Sequence, residues 1–148
     1  MKAIVTISRP QVLLTGLFLI ACTSQQPVTE DFTGAISAAN DRFMETFASG
    51  DGAALAELYT EDGRLLPPGN EPVSGQEAIG EFWQAVIDGG VAQVRLMIDE
   101  VNGAGDWVYE LSRYAMYDAT GATVGEGKYI VIWRRTAEGW RLHRDIWN

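Results

Sequence analysis

An α+β domain, in which three helices lead into a long antiparallel meander, is the fold this sequence predicts. Three observations carry it. Apolar residues recur at helical spacing from Phe32 to Ile87, and from Val91 onward they give way to strand-like runs rich in β-branched and aromatic residues. Those runs are separated by turn signals at Asn102 to Asp106, Asp118 to Gly121 and Thr136 to Gly139. Such short connections make neighbouring strands antiparallel, because a parallel pair needs a crossover of about a dozen residues. Helices first and strands afterwards indicate an α+β domain. With 148 residues, 47% of them hydrophobic, the chain fits one domain with a substantial core.

The first residues stand outside that domain. Lys2 and Arg9 precede an apolar run, Val12 to Ile20, that ends in Leu19-Ile20-Ala21-Cys22, a secretory signal pattern. The run is too short to cross a bilayer, which takes about 20 residues as a helix. The Leu-Ile-Ala-Cys ending resembles the lipobox of bacterial lipoproteins, and that resemblance implies cleavage after residue 21 and lipid on Cys22. A plain signal peptide with an incidental cysteine, or a buried thiol, is the alternative. Cys22 is the only cysteine, so no intrachain disulfide can form and packing must hold the fold. Thr23 stands where the lipoprotein pattern would show Asp for inner-membrane retention, so the resemblance implies the outer membrane, facing the periplasm. Residues 22–28, polar and containing Pro27, read as a tether, and 29–148 as the domain.

Loss of residues 1–21 would remove Lys2 and Arg9, leaving 9 basic against 20 acidic side chains. A surface of that sign disfavours phosphate backbones, so nucleic acid is not an expected partner. It also leaves membrane attachment to the lipid rather than to a basic patch.

In the domain, Thr29 is a candidate N-cap for a first helix that places Phe32, Ile36, Phe43 and Phe47 on one face before Gly50. Asp51 can cap a short second helix through Leu55 and Leu58 to Tyr59, with Glu61-Asp62-Gly63 reading as a turn and Arg64 to Leu66 as a small strand. Ser74-Gly75-Gln76-Glu77 matches a capping box for a third helix carrying Ile79, Phe82, Trp83, Val86 and Ile87. Four strands follow, roughly 91–101, 107–117, 124–135 and 140–147. The third has Lys128, Ile130, Ile132 and Arg134 on one face and Tyr129, Val131 and Trp133 on the other. A sheet apolar on both faces is usually covered on both, so a homodimer is expected to cover the face the helices do not.

The segments YTEDGRLLPPG, VSGQEAIGEFW, GKYIVIWRR and GWRLHRDIWN, in this order after a first helix, resemble the NTF2-like superfamily, and within it the SnoaL-like or DUF4440-type group related to ketosteroid isomerases. The resemblance spans residues 30–148. It implies a cone: a strongly curved sheet wrapped on three helices, with a cavity at the open end. Isomerases, epoxide hydrolases, polyketide cyclases, dehydratases and domains without chemistry share this fold, so it assigns no reaction.

Candidate catalytic residues are Asp145, Lys128 and Glu110, each in mid-strand, where a charged side chain meets either a partner layer or a cavity. Lys128 is the only lysine outside the signal segment. The structural alternative is an ion pair of Lys128 with Glu110 or Asp145. Strict alternation puts Glu110 with Ser112 and Tyr114, and Asp145 with His143 and Trp147, and the two sets need not share a side. Phe82, Trp83 and Trp133 are candidate cavity walls or simple core. A carboxyl group in an apolar cavity would be tuned toward neutral pH. The ketosteroid isomerase resemblance would put a phenol on the first helix, which has Phe43 and Phe47 and no tyrosine, so Tyr59 or Tyr114 is left to polarise a substrate. His143 reads as a surface or structural residue. One histidine and one cysteine do not make a zinc site, and no glycine-rich phosphate motif calls for a cofactor.

Together these features predict a lipid-anchored envelope protein whose cavity holds a small, largely apolar molecule. An acid–base enzyme and a dimerisation or envelope-assembly module are the alternatives. A binding module expects paired charges in the cavity, an enzyme expects an unpaired carboxylate facing it, and an assembly module expects a filled cone with an apolar outer face.

Overall fold

The computed structural model describes residues 31–148, so the signal segment, Cys22, the tether and the Thr29 cap lie outside the described residues. The elements run α1 (Phe32–Ala48), α2 (Gly52–Ala56), β1 (Tyr59–Leu66), β2 (Val73–Ser74), α3 (Gln76–Asp88), β3 (Gln93–Ala104), β4 (Trp107–Tyr117), β5 (Thr123–Thr136) and β6 (Gly139–Trp147). One six-stranded sheet has the order β2-β1-β6-β5-β4-β3, and β1 beside β6 is its one parallel pair. Register shifts in β1/β6, β3/β4, β4/β5 and β5/β6 bend the strands, as extra residues in one strand of a pair do. The curved sheet holds α1 against β3 and α3 against β1. None of the described helices is long and apolar enough to cross a membrane.

Helix α1 starts where Asp31 accepts the Thr33 N–H at 3.1 Å, and it buries Ile36, Asn40, Phe43 and Phe47. Helix α2 is shorter than the sequence predicts. It stops at Ala56 because Tyr59 belongs to β1, which runs through Glu61-Asp62-Gly63 where a turn is expected. Pairing with β6 extends this strand, and a register shift between Tyr59 and Arg64 absorbs the polar residues. The expected capping box does not form either. Ser74 is drawn into β2, where its hydroxyl accepts from Arg64 at 3.0 Å, and Gly75 occupies the N-cap at φ 85°, a conformation L side chains rarely adopt.

The inner face of β5 buries Tyr129, Val131 and Trp133, while Lys128 and Ile130 on the same strand face outward. The inner face packs on Ile36, Phe43, Phe47, Leu55, Ile79 and Trp83. Outside, register sets Leu111, Ile130 and Ile146 in one row across three strands, all of them exposed, with Tyr109 in the next row.

Candidate functional site

The inner face of β4 to β6 carries two carboxyl groups on either side of Val131, which pairs with Glu110 on β4 and with Asp145 on β6. Strict alternation along β6 would put His143 on this face as well. His143 is instead the extra residue of a bulge, since Ile132 pairs with Arg144 and Trp133 with Leu142. The bulge lets Leu142 and Asp145, three residues apart, both point inward. His143 turns outward yet is 8% exposed, so the surface reading needs correction: its Nδ1 lies 2.9 Å from Thr60 Oγ1, and its ring meets Trp107 edge-on. Burial and then the Arg144 charge lower its pKa.

Glu110 is fully buried and saturated by neutral donors. Its Oε1 accepts from Asn40 Nδ2 and Ser112 Oγ, both at 2.7 Å, and from the Tyr129 hydroxyl at 2.5 Å. Its Oε2 accepts from Trp133 Nε1 at 2.9 Å. Four donors and no acceptor match an ionised, acceptor-only carboxylate held without a counter-cation. The adjacent Tyr129 hydroxyl has its pKa raised, by burial first and then by the Glu110 charge.

Asp145 is 6% exposed and has a different environment. Its Oδ2 accepts from the Tyr59 hydroxyl at 2.8 Å, and the Tyr59 hydroxyl oxygen in turn accepts from Trp83 Nε1 at 3.2 Å. Its Oδ1 has no hydrogen-bond partner among the described residues and is not sealed from space, for Asp145 lines a cavity. Burial pushes the Asp145 carboxyl up to about 7, the Tyr59 hydrogen bond pulls it down, and the Glu110 charge raises it further. Tyr59 rises well above its usual value, through burial and then the Asp145 charge.

The cavity has a volume of about 40 Å³ and lies between α1, α3 and the sheet. Asn40, Tyr129 and Asp145 form its buried end, with Phe43 and Trp83 on the helices, and half-buried Leu96, Tyr114, Met116 and Trp147 form its rim. A wider groove of about 510 Å³ lies between β1, the start of α3 and the β5–β6 turn, but its wall is polar and surface-borne, with Glu57, Glu61, Asp62 and Glu138 answered by Arg134 and Arg141. The narrow cavity is the better site, since it combines apolar walls with an unspent buried carboxyl group. Among the described residues no group of three or more His, Cys, Asp or Glu side chains could hold a metal.

The structure therefore brings Glu110 and Asp145 to one face and leaves Lys128 on the other. The expectation for Lys128 is corrected: it is exposed, opposite Arg113 in register, so it pairs with neither carboxyl group. Of the expected wall residues, Trp83 and Tyr114 line the cavity. Tyr59 stands behind it as the donor to Asp145, Trp133 lies beneath Glu110, and Phe82 packs edge-on against Trp83 and Trp147 at 5.4 and 5.8 Å. Neither tyrosine is free to polarise a carbonyl, because the Tyr114 hydroxyl donates to the Asn148 carbonyl at 3.1 Å. Sequence reasoning missed Asn40. Its signal was legible, for Asn40 falls in the apolar stripe of Ile36, Phe43 and Phe47, where a polar residue calls for a buried partner.

The profile of the SnoaL-like domain matches residues 40–143. Solved structures share the fold. A Mycobacterium tuberculosis protein of unknown function aligns with a TM-score of 0.70 at 23% identity, over 84% of this chain and 76% of its own. A ketosteroid isomerase-like protein from Erwinia carotovora atroseptica gives 0.63 at 25% identity, over 80% of this chain and 95% of its own. An NTF2-like protein from Novosphingobium aromaticivorans gives 0.63 at 22% identity, over 78% of this chain and 79% of its own. No curated protein matches the sequence.

Proposed function

This chain belongs to the SnoaL-like family and has the NTF2-like fold, and from that premise we propose that its cavity binds a small, largely apolar molecule on which Asp145 performs general acid–base chemistry. The observation that carries the reading is the Asp145 carboxyl group, which is buried at the cavity end with Oδ2 tied to Tyr59 and Oδ1 unspent. A carboxyl group near pH 7 exchanges a proton readily in either direction, and a proton moved in a dry pocket is where such groups contribute most. Tyr59, braced by Trp83, fixes which oxygen reacts, and the Glu110 network anchors Asn40 and Tyr129 in the wall. Isomerase, dehydratase, cyclase and hydrolase reactions all use such a group. The cavity volume favours a substrate much smaller than a steroid.

The test begins with a screen of small cyclic compounds, read by shifts of the indole N–H resonances of Trp83 and Trp147. Turnover of the binders by the protein and by Asp145→Asn follows. Expected is turnover with an inflection near pH 7 that falls about 10²- to 10⁴-fold in the variant. Binders that remain unchanged, or turnover that survives the substitution, would overturn the acid–base role and leave a binding module.

Separately, from the resemblance of Leu19-Ile20-Ala21-Cys22 to a lipobox, we propose that the domain sits at the bacterial outer membrane, facing the periplasm, on a lipid carried by Cys22, with palmitate incorporation abolished by Cys22→Ala as its check. It pairs two copies through the exposed outer row of Leu111, Ile130 and Ile146.

A further inference from the structure

Hydrogen-bond accounting at the buried end of the cavity shows which chemistry it can hold. With Asp145 ionised, every side-chain donor there is spent among the described residues. The Tyr129 hydroxyl donates to Glu110, Asn40 Nδ2 donates to Glu110 and lies 3.5 Å from the Tyr129 oxygen, the Tyr59 hydroxyl donates to Asp145, and Trp83 Nε1 donates to Tyr59. At the rim the Tyr114 hydroxyl donates to Asn148, which leaves the Trp147 indole N–H as the one lining side-chain donor without a partner among the described residues. Two acceptors at the buried end, Asp145 Oδ1 and Asn40 Oδ1, have no partner among the described residues. The Asn40 orientation is set by Glu110, which as a carboxylate accepts only from the amide nitrogen. Both residues are more than nine-tenths buried. A ligand that presents a carbonyl or an oxyanion would set acceptor against acceptor, whereas a ligand with N–H groups satisfies both.

Charge points the same way. Among the described residues no Lys, Arg or His lines the cavity, and Glu110 stands behind it on the same sheet face as Asp145. Below about pH 7 a proton neutralises Asp145, and above it the buried carboxylate is unfavourable unless paired, so the partner that completes the ionised site is a cation. The walls suit one, because Phe43, Trp83, Tyr114, Tyr129 and Trp147 supply aromatic rings, with Trp83 and Trp147 stacked at 5.7 Å and 18°.

We propose that the cavity takes a small protonated amine, its N–H groups accepted by Asp145 and Asn40 and its hydrocarbon part held among the aromatic walls. The inference rests on the reading of this cavity as a small-molecule site and names the ligand class. It sets the protein apart from sites that polarise a carbonyl, since among the described residues no side-chain donor at the buried end is free once Asp145 is ionised.

The experiment compares three compounds of one shape, cyclopentylamine, cyclopentanol and cyclopentanone, by indole N–H shifts and tryptophan fluorescence. At pH 8 the amine is expected to bind at least ten-fold more tightly than either neutral compound. Alkylamines stay protonated to about pH 10, so any loss of that preference between pH 8 and pH 5.5 reports the protein. The ionisable groups facing Asp145 are Tyr59 from β1, Glu110 from β4 and Tyr129 from β5, with none from α1 or α3. Burial raises Asp145 to about 7, inside that window, so the preference should fade as pH drops through about 7. It should also vanish in Asp145→Asn, and the pH series on the unaltered protein decides the matter if that variant does not fold. Equal or tighter ketone binding, or an amine preference that survives at pH 5.5, would overturn the inference while leaving the small-molecule site intact. Failure of all three compounds to bind would overturn both.

Discussion

Two carboxyl groups on one sheet face differ in the donors that meet them. Glu110 is held by four hydrogen bonds, whereas Asp145 has one and is raised from an ordinary 3.8 to about 7. A carboxyl group raised on folding is protonated in both states below its unfolded value, so its contribution to stability is complete there and is lost as pH climbs through the folded value. The window is therefore about pH 4 to 7, and the loss across it reaches about 4 kcal/mol. Asp145→Asn keeps an acceptor for Tyr59 and has no charge to desolvate. Urea unfolding should show the variant close to the parent at pH 4 and more stable than it at pH 8. A variant less stable at pH 8 would mean that the carboxylate is paired after all. The sequence marked Asp145 and Glu110 as charged residues in mid-strand, but their different surroundings depend on donors from three other elements, α1, β1 and β5, and could not be read from β4 and β6 alone.

At the scale of elements, the end of β6 closes the site because β5 makes room for it. A Cβ at Gly127 would come within 2.0 Å of the Asn148 carbonyl oxygen and 2.9 Å of the Tyr114 ring. Gly127→Ala must therefore push β6 outward, loosening the Tyr114–Asn148 hydrogen bond and the Trp147 rim. Overpacking of this kind typically costs about 1–3 kcal/mol. Denaturant unfolding should show that loss, and the fluorescence of the stacked Trp83–Trp147 pair should change in the folded state. An unchanged midpoint would mean that the strand end is free to move. The bulge at His143 belongs to the same scale. Alternation in the sequence placed His143, Asp145 and Trp147 together, and only pairing of β6 between β1 and β5 exposed the extra residue that sends His143 outward.

For the whole molecule, the helices cover the inner face of the sheet and leave the outer face partly apolar. Leu111, Ile130 and Ile146 are 38%, 43% and 47% exposed in one row, which suits an isologous contact with a second copy. Sedimentation at micromolar concentration should give a dimer, and Ile130→Glu should give a monomer with unchanged circular dichroism. A parent that sediments as a monomer would refute the pairing. Lys128 and Arg113 face each other in register on this same outer face, where the sequence reading had placed Lys128 beside a carboxyl group.

The sequence by itself determined the order of helices and strands, the apolar stripe of α1 and the mid-strand position of two carboxyl residues, because hydrophobic periodicity and turn chemistry are local properties. Only the tertiary structure decided that β1 begins at Tyr59, that Glu110 is saturated while Asp145 keeps an open oxygen, and that Lys128 lies outside. Those outcomes follow from cross-strand register, a one-residue bulge and hydrogen bonds spanning 70 or more positions, such as Asn40 to Glu110 and Tyr59 to Asp145. No periodicity within a single strand encodes them, since each depends on which strand lies beside which.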